Sequence, residues 1–472
     1  ATPRVGQRPA DSGPVPRFEP TDCRTDWLSG RSTTCGDLIV LEDRARPDGA
    51  RIALHVAIHS SWSGQPAPDP VVYLDGGPGG SPLVDGFYDH PFLEDRDLIV
   101  FDQRGVGLSR PSLDCPEVIF LFLREELDAL RDCHRRLIEE GVQLEAYDSV
   151  ANAADLEDLR TVLGHDQWNL YGVSYGSRLA LTAMRDHPAG IRSVVLDGVY
   201  PPEVDLYAEG ARNAQRAFDE LFIACGADHA CFQAFPDLQD RFYLLVEQLN
   251  AEPLTAGSLL GLGGTDIDGS TLLWLVHQRM YATEYLAGIP AALDAFSRDE
   301  WEELDEWLFE LVGFGRAGGY HVLSEGFHYS VQCAEELAFS DQQRLGEYDL
   351  AVVPVVSFAF DWHYMVEACE LWDVPPADAV ENQPVVSDIP ALLLAGTYDP
   401  VTPPAWAQTA AQNLSAGQVV VLRGVGHGSL GSSWCVDDIV ARFLDEPLAL
   451  VDHGCVDELG EPEFVTPGVL DD

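Results

Sequence analysis

Short apolar runs bounded by Gly, Pro and Asp clusters recur through the first two hundred positions, and they read as buried strands. Leu38-Ile39-Val40-Leu41 and the alternating stretch 51–58 come first, followed by Val71-Val72-Tyr73-Leu74 and Leu98-Ile99-Val100-Phe101. Helical spacing over 149–163 leads into a strand at Trp168-Asn169-Leu170-Tyr171. A helix over 177–185 and a strand at Ser193-Val194-Val195-Leu196 come next. After Pro201-Pro202 the pattern becomes amphipathic helix with aromatic clusters, until strand-like runs return at 391–394 and 419–422. Strands alternating with helices predict an α/β fold, in which a mostly parallel sheet is covered by helices on both faces. The change of period predicts a mainly helical cap inserted into it. The expected division is an extended N-terminal arm over 1–37, a catalytic domain over 38–202 and 381–472, and the cap over 203–380.

One turn in this pattern carries chemistry. Gly172-Val173-Ser174-Tyr175-Gly176 follows a predicted strand and opens a predicted helix. Small residues at both ends let a strand reverse sharply into a helix, which exposes the serine hydroxyl as a nucleophile. Such a serine needs a base and an orienting acid, expected later in the chain in the order acid, then His. Asp399, in Gly396-Thr397-Tyr398-Asp399-Pro400, and His427, in Gly424-Val425-Gly426-His427-Gly428, each lie just past an apolar run. All three therefore fall at the carboxyl edge of the sheet, where ligands bind in parallel sheets. His427 is assigned as base, with Asp399 holding its tautomer. Asp197 and His453 are the alternative acid and base.

The tetrahedral intermediate of acyl transfer also needs N–H donors. The backbone of Tyr175 is one candidate. The other comes from the Gly-rich loop Asp75-Gly76-Gly77-Pro78-Gly79-Gly80-Ser81, with Gly77 favoured and Gly76 its alternative. No Lys or helix follows this loop in the register of a phosphate loop. In Asp102-Gln103-Arg104-Gly105-Val106-Gly107-Leu108-Ser109, Arg104 is expected to pair with a nearby acid and brace the oxyanion loop.

Three pieces, Gly76 to Ser81, Asp102 to Ser109 and Gly172 to Ser177, together resemble the prolyl and tripeptidyl aminopeptidase family of α/β-hydrolases. The segments around Asp399 and His427 are similar to the end of the tripeptidyl-type (TAP-like) members, including the cysteine-containing tail. The resemblance covers about residues 38–200 and 385–455. It implies an α/β-hydrolase fold and an exopeptidase whose cap carboxylates hold the substrate's free α-ammonium. Tyr207-Ala208-Glu209-Gly210-Ala211 looks like the segment that supplies one such Glu, and Glu335 and Glu336, beside Cys333, are further candidates. Asp75 stands where many prolyl members have His, which bears on the substrate class.

Composition narrows the setting. The 78 acidic residues outnumber 28 basic ones, every one of them Arg, for a net charge of −50. Such a charge repels nucleic acid and anionic membranes and excludes both as partners, while no stretch has the apolar length of a membrane-spanning helix. Ten cysteines without a Cys-x-x-Cys motif predict disulfides, with no metal and no cofactor. Close spacing suggests Cys23 with Cys35, Cys115 with Cys133, Cys225 with Cys231 and Cys435 with Cys455, leaving Cys333 and Cys369 as a fifth pair. With Ala1 first and no apolar leader, the chain is expected to be a processed product, secreted or periplasmic. Its expected partner is a small peptide or ester substrate, and a monomer is the working expectation.

Three functions follow. The first is an exported exopeptidase releasing proline or a short peptide from an amino terminus. The second is a carboxylesterase with the same catalytic set acting on small or aromatic esters. The third is a hydrolase-fold binding protein without catalysis. A dehalogenase or epoxide hydrolase would carry Asp in place of Ser174.

Overall fold

The predicted apolar runs hydrogen-bond into one nine-stranded sheet. Its strands are β1 (Arg17–Thr21), β2 (Thr33–Leu41), β3 (Arg51–His59), β4 (Val71–Leu74), β5 (Leu98–Phe101), β6 (Trp168–Val173), β7 (Ile191–Asp197), β8 (Ala391–Gly396) and β9 (Gly417–Leu422). They lie in the order β1-β2-β3-β5-β4-β6-β7-β8-β9. The first four of that order meet antiparallel, and β5 through β9 run parallel. The computed structural model describes residues 13–24, 32–85, 90, 93–118, 127–255, 266–301, 304, 307, 316–317, 320–321, 323–341, 352–360 and 362–467.

The two-residue period of the strands sorts side chains onto two faces. Leu170, Val194, Leu196 and Leu393 face one layer, built from α1 (Leu127–Glu139), α2 (Ser149–Leu163) and α3 (Tyr175–Asp186). Tyr171, Val195, Leu392, Leu394 and Val420 face the other, where a C-terminal helix over 434–445 contributes Val436, Ile439, Val440 and Phe443. Burial on both faces is what makes these strands read as unbroken apolar runs.

Two expectations about domain limits change. The N-terminal segment expected as a free arm supplies β1 and the start of β2, zipped antiparallel from Arg17 opposite Ile39 to Thr21 opposite Cys35. The insertion also divides. Helices α4 (Leu206–Ala227), α5 (Leu238–Ala251), α6 (Gly269–Arg279), α7 (Ile289–Phe296) and a later short helix over 354–359 share a core of their own around Phe218, Phe242, Leu272, Phe296 and Val356. In contrast, Phe327, Tyr329, Val331, Met365 and Trp372 join the core beneath the sheet's α1–α3 layer. Residues 325–337 and 363–372 are thus packed as part of the catalytic domain, with the Trp372 ring 5.2 Å from that of His134 on α1.

All ten cysteines are bonded, as Cys23–Cys35, Cys115–Cys133, Cys225–Cys231, Cys333–Cys369 and Cys435–Cys455. Among the described residues no helix is long and apolar enough to cross a membrane.

Arg104 pairs with an acid, as expected, but away from the oxyanion loop. It is fully buried, its guanidinium forked onto Asp155 of α2 with both bonds 2.7 Å, and Nη1 donates to the Glu42 and Ala146 carbonyls at 2.9 and 2.6 Å. Bracing of the oxyanion loop falls to its neighbour Asp102, which accepts from Ser81 Oγ (2.8 Å) and from the Leu108 backbone N–H (2.6 Å). Burial pushes the Asp102 carboxyl up to about 7, against these hydrogen bonds. Replacing Arg104 by Met leaves Asp155 buried with only the edge-on Arg44. The expected loss is ~3–5 kcal/mol, read from the urea-unfolding midpoint.

Candidate active site

The elbow at Ser174 is shaped by close approach. A Cβ on Gly172 would come within 2.3 Å of the Gly176 carbonyl oxygen, and one on Gly176 within 2.0 Å of the Leu74 oxygen. Neither position can carry a side chain while α3 starts this near the end of β4. Between them Ser174 adopts φ 56°, ψ −124°, a strained geometry for a residue with a Cβ. Its N–H donates to the Asp197 carbonyl (2.9 Å), and its own carbonyl accepts from Ser177 Oγ (2.6 Å).

Asp399 and His427 leave the ends of β8 and β9 and meet. His427 Nδ1 donates to Asp399 Oδ2 at 2.8 Å. Asp399 is fully buried; its Oδ1 accepts from the Val401 and Thr402 N–H groups, both at 2.8 Å, and its Oδ2 also accepts from Thr402 Oγ1 at 2.6 Å. Burial alone would raise this carboxyl, but the neighbouring imidazole and the hydrogen bonds hold it below the usual carboxylate range. For His427 burial pulls down, while the charge and hydrogen bond of Asp399 outweigh it and raise the imidazole above its ordinary value. The Tyr281 ring stands edge-on 4.8 Å from His427. Behind it His277 is kept neutral by burial, at about 4.

The alternative acid, Asp197, is engaged elsewhere. Its carboxylate accepts from the Ser429 and Leu430 N–H groups and from Tyr171 Oη, which pins the backbone just after His427. The alternative base, His453, is exposed and turned to the carbonyl of Val451.

Over Ser174 lies the Gly-rich loop. A Cβ on Gly76 would stand 2.9 Å from that of Ser174. The Gly76 N–H already donates to Asp75 Oδ1 (2.9 Å), which removes it as a free donor. Gly77, at φ +111°, and Tyr175, at the start of α3, have no bond from their N–H groups among the described residues.

The three expected ammonium ligands separate. Glu209, half-buried in the first turn of α4, accepts from Trp406 Nε1 at 2.9 Å through Oε2. Trp406 in turn stacks on Tyr200, 5.7 Å away, whose N–H reaches Ser177 Oγ at the foot of the elbow helix. For Glu335 and Glu336 the expectation needs correcting, because both are buried and already matched. Glu335 accepts from the Ser149 N–H and Oγ, each at 2.6 Å, at the positive end of α2, and Glu336 pairs with Arg178 at 2.8 Å. Burial pushes Glu336 up to about 7 in spite of Arg178.

Sequence reasoning missed Thr402 and Arg216. Thr402 follows Asp399 by three positions, a spacing typical of a side chain closing its own turn, and that signal was available. Arg216 of α4 donates Nη1 to the Thr397 carbonyl (2.6 Å) and Nη2 to that of Asp399. Nothing local to Arg216 announces that contact. As to metals, only Cys115, Glu117 and Cys133 gather as ligands would among the described residues. Their sulfurs are bonded to each other, and Glu117 is taken by Arg136.

Residues 354–452 match the family model described as TAP-like protein. The chain is 24% identical over 503 residues to the serine protease Hip1 of Mycobacterium tuberculosis, covering 94% of this chain and 90% of that protein. It is 26% identical over 492 residues to carboxylesterase B of the same organism, covering 94% and 91%. A shorter match, 32% over 157 residues, is to a proline iminopeptidase of Arabidopsis thaliana, covering 32% of this chain and 33% of the relative. Sheet order and elbow are those of the α/β-hydrolase fold, and within it residues 354–452 match a TAP-like domain.

Proposed function

We propose that this serine hydrolase is an exported exopeptidase that releases amino-terminal residues, of the prolyl or tripeptidyl type, through an acyl-enzyme on Ser174. The observation that carries the chemistry is the 2.8 Å bond between His427 Nδ1 and Asp399 Oδ2 beside a strained serine elbow. Since Nδ1–H is committed to the carboxylate, Nε2 carries the lone pair. It accepts the Ser174 proton as Oγ attacks the scissile carbonyl. The developing oxyanion is held by the Gly77 and Tyr175 N–H groups, and the proton then passes to the leaving amine. Water repeats the sequence on the acyl-enzyme. Neither metal nor cofactor enters these steps.

The exopeptidase reading is supported by the family resemblance, by the protease and iminopeptidase among the relatives, and by Glu209. That carboxylate uses one oxygen on Trp406 and keeps Oε1 without a partner among the described residues. Five disulfides support export, since such bonds persist in oxidising compartments. Carboxylesterase B among the relatives favours a second reading, an esterase with the same catalytic set.

A paired assay separates the two. Aminoacyl and tripeptidyl arylamides with free amino termini should be turned over and their N-blocked forms should not. Equal turnover of both, with faster cleavage of p-nitrophenyl esters, selects the esterase. Glu209→Gln should raise KM for free-amine substrates about tenfold and leave ester cleavage unchanged, as expected for loss of one charged contact. Ser174→Ala should abolish turnover of every substrate.

The pH profile tests the dyad. His427 serves as base only when neutral, and Asp399 raises its pKa. The acid limb of kcat/KM should therefore have its midpoint above the ordinary imidazole value of about 6.5. Asp399→Asn removes the charge responsible, so the midpoint should move down while kcat falls ~10⁴-fold.

A further inference from the structure

A backbone N–H stabilises an oxyanion only if its peptide plane is held in the right direction. In the Gly-rich loop the Gly76 carbonyl accepts from the Gly80 N–H at 3.0 Å. In a trans peptide the N–H points opposite to the carbonyl, so this bond turns the Gly77 N–H to the other side of the plane. The Pro78 and Gly79 carbonyls are held from outside the loop. Pro78 O lies 3.2 Å from His328 Nδ1, and Gly79 O accepts from the Ser324 N–H at 2.8 Å. Leu323 forms an antiparallel bridge with Gly80, and its Cδ1 stands 2.9 Å from where a Cβ on Gly77 would be. The clamp is itself anchored, because Ser324 Oγ donates to the Gly105 carbonyl at 3.0 Å.

We propose that His328 is a positioning residue of the oxyanion loop. By donating Nδ1–H to the Pro78 carbonyl it holds the loop turn that aims the Gly77 N–H at the reacting carbonyl over Ser174. A carbonyl oxygen only accepts, so the proton must be on Nδ1. Burial pushes this imidazole down to about 4, which keeps the ring neutral, and the Pro78 carbonyl then selects the Nδ1–H tautomer. His328 lies 250 residues from Pro78 in the chain. Through it the segment after the inserted helices completes a site whose other parts come from the sheet. The inference rests on Gly77 being an oxyanion donor, as in the proposed function.

The test compares His328→Ala, His328→Asn and His328→Gln in the full chain. An Asn amide places an N–H near the Nδ1 position, whereas Gln places it near Nε2. In His328→Ala, kcat should fall about tenfold, less than the 10²–10³ lost when an oxyanion donor is removed outright. KM should stay within about twofold. A substrate-derived trifluoromethyl ketone, whose adduct carries the oxyanion, should weaken by the same factor as kcat. Asn should recover most of both losses and Gln should not, and the midpoint of the acid limb should stay in place in all three because His427 is untouched. The proposal is overturned if Ala keeps wild-type kcat and inhibitor affinity, or if Asn is impaired as much as Ala. Retained turnover in Ser174→Ala would instead overturn the catalytic reading on which it rests.

Discussion

The site depends on one close approach, that of the elbow helix to the sheet. Gly176 sits where any side chain would collide with the Leu74 carbonyl, and Gly172 where one would collide with Gly176 itself. Only with both bare can α3 begin directly beside the end of β4. That nearness brings the Gly-rich loop, which continues β4, over Ser174, and it leaves the Tyr175 N–H at the head of the helix. The strain at Ser174 persists because its flanking peptide groups are bonded to Asp197 and Ser177. Asp197 then links the elbow to the base: its carbonyl holds the Ser174 N–H and its carboxylate holds the chain just past His427.

Around this centre the inserted segment does more than cover it. Arg216 and Asn213 of α4 bond the carbonyls of Thr397, Asp399 and Val401, which form the turn that carries the acid. The Tyr281 carbonyl accepts the His427 N–H at 2.7 Å, and Thr283 Oγ1 accepts that of Gly426. Ser324 and His328 hold the Gly-rich loop. The acid and base loops are thus bonded through their backbones to the inserted helices, and the Gly-rich loop to the segment that packs back onto the catalytic domain.

This arrangement explains what could be read from the sequence. The strands, the elbow, Asp399 and His427 were legible because each is specified within a few residues: an apolar run, two glycines, a loop just beyond a strand. The bonds from the insertion were not, since Arg216 and His328 meet partners 183 and 250 residues away. The segment before residue 38 has no apolar period because β1 is an edge strand whose residues are only half-buried or exposed, so it read as an arm. Residues 325–337 and 363–372 have the helical spacing of the cap, and spacing does not say which core a helix joins. Disulfide pairing was readable because four of the five bonds close loops of 20 residues or fewer.

With 78 acids in the chain, an acidic residue near the site carries little information by itself. What discriminates is its partner. Arginine is the only strong cation present, and several buried carboxylates are placed against it: Asp155 on Arg104, Glu336 on Arg178, Glu381 on Arg185. These acids are neutralised inside the fold, where an unpaired charge would be costly. By the same reasoning Glu335, held by Arg178 and the head of α2, has nothing left to offer a ligand. Glu209 differs from them. It is half-buried at the foot of the insertion, and its described side-chain partner is the neutral indole of Trp406. Among the described residues no Arg pairs with it, which is the condition under which a substrate's α-ammonium could serve as its counter-ion.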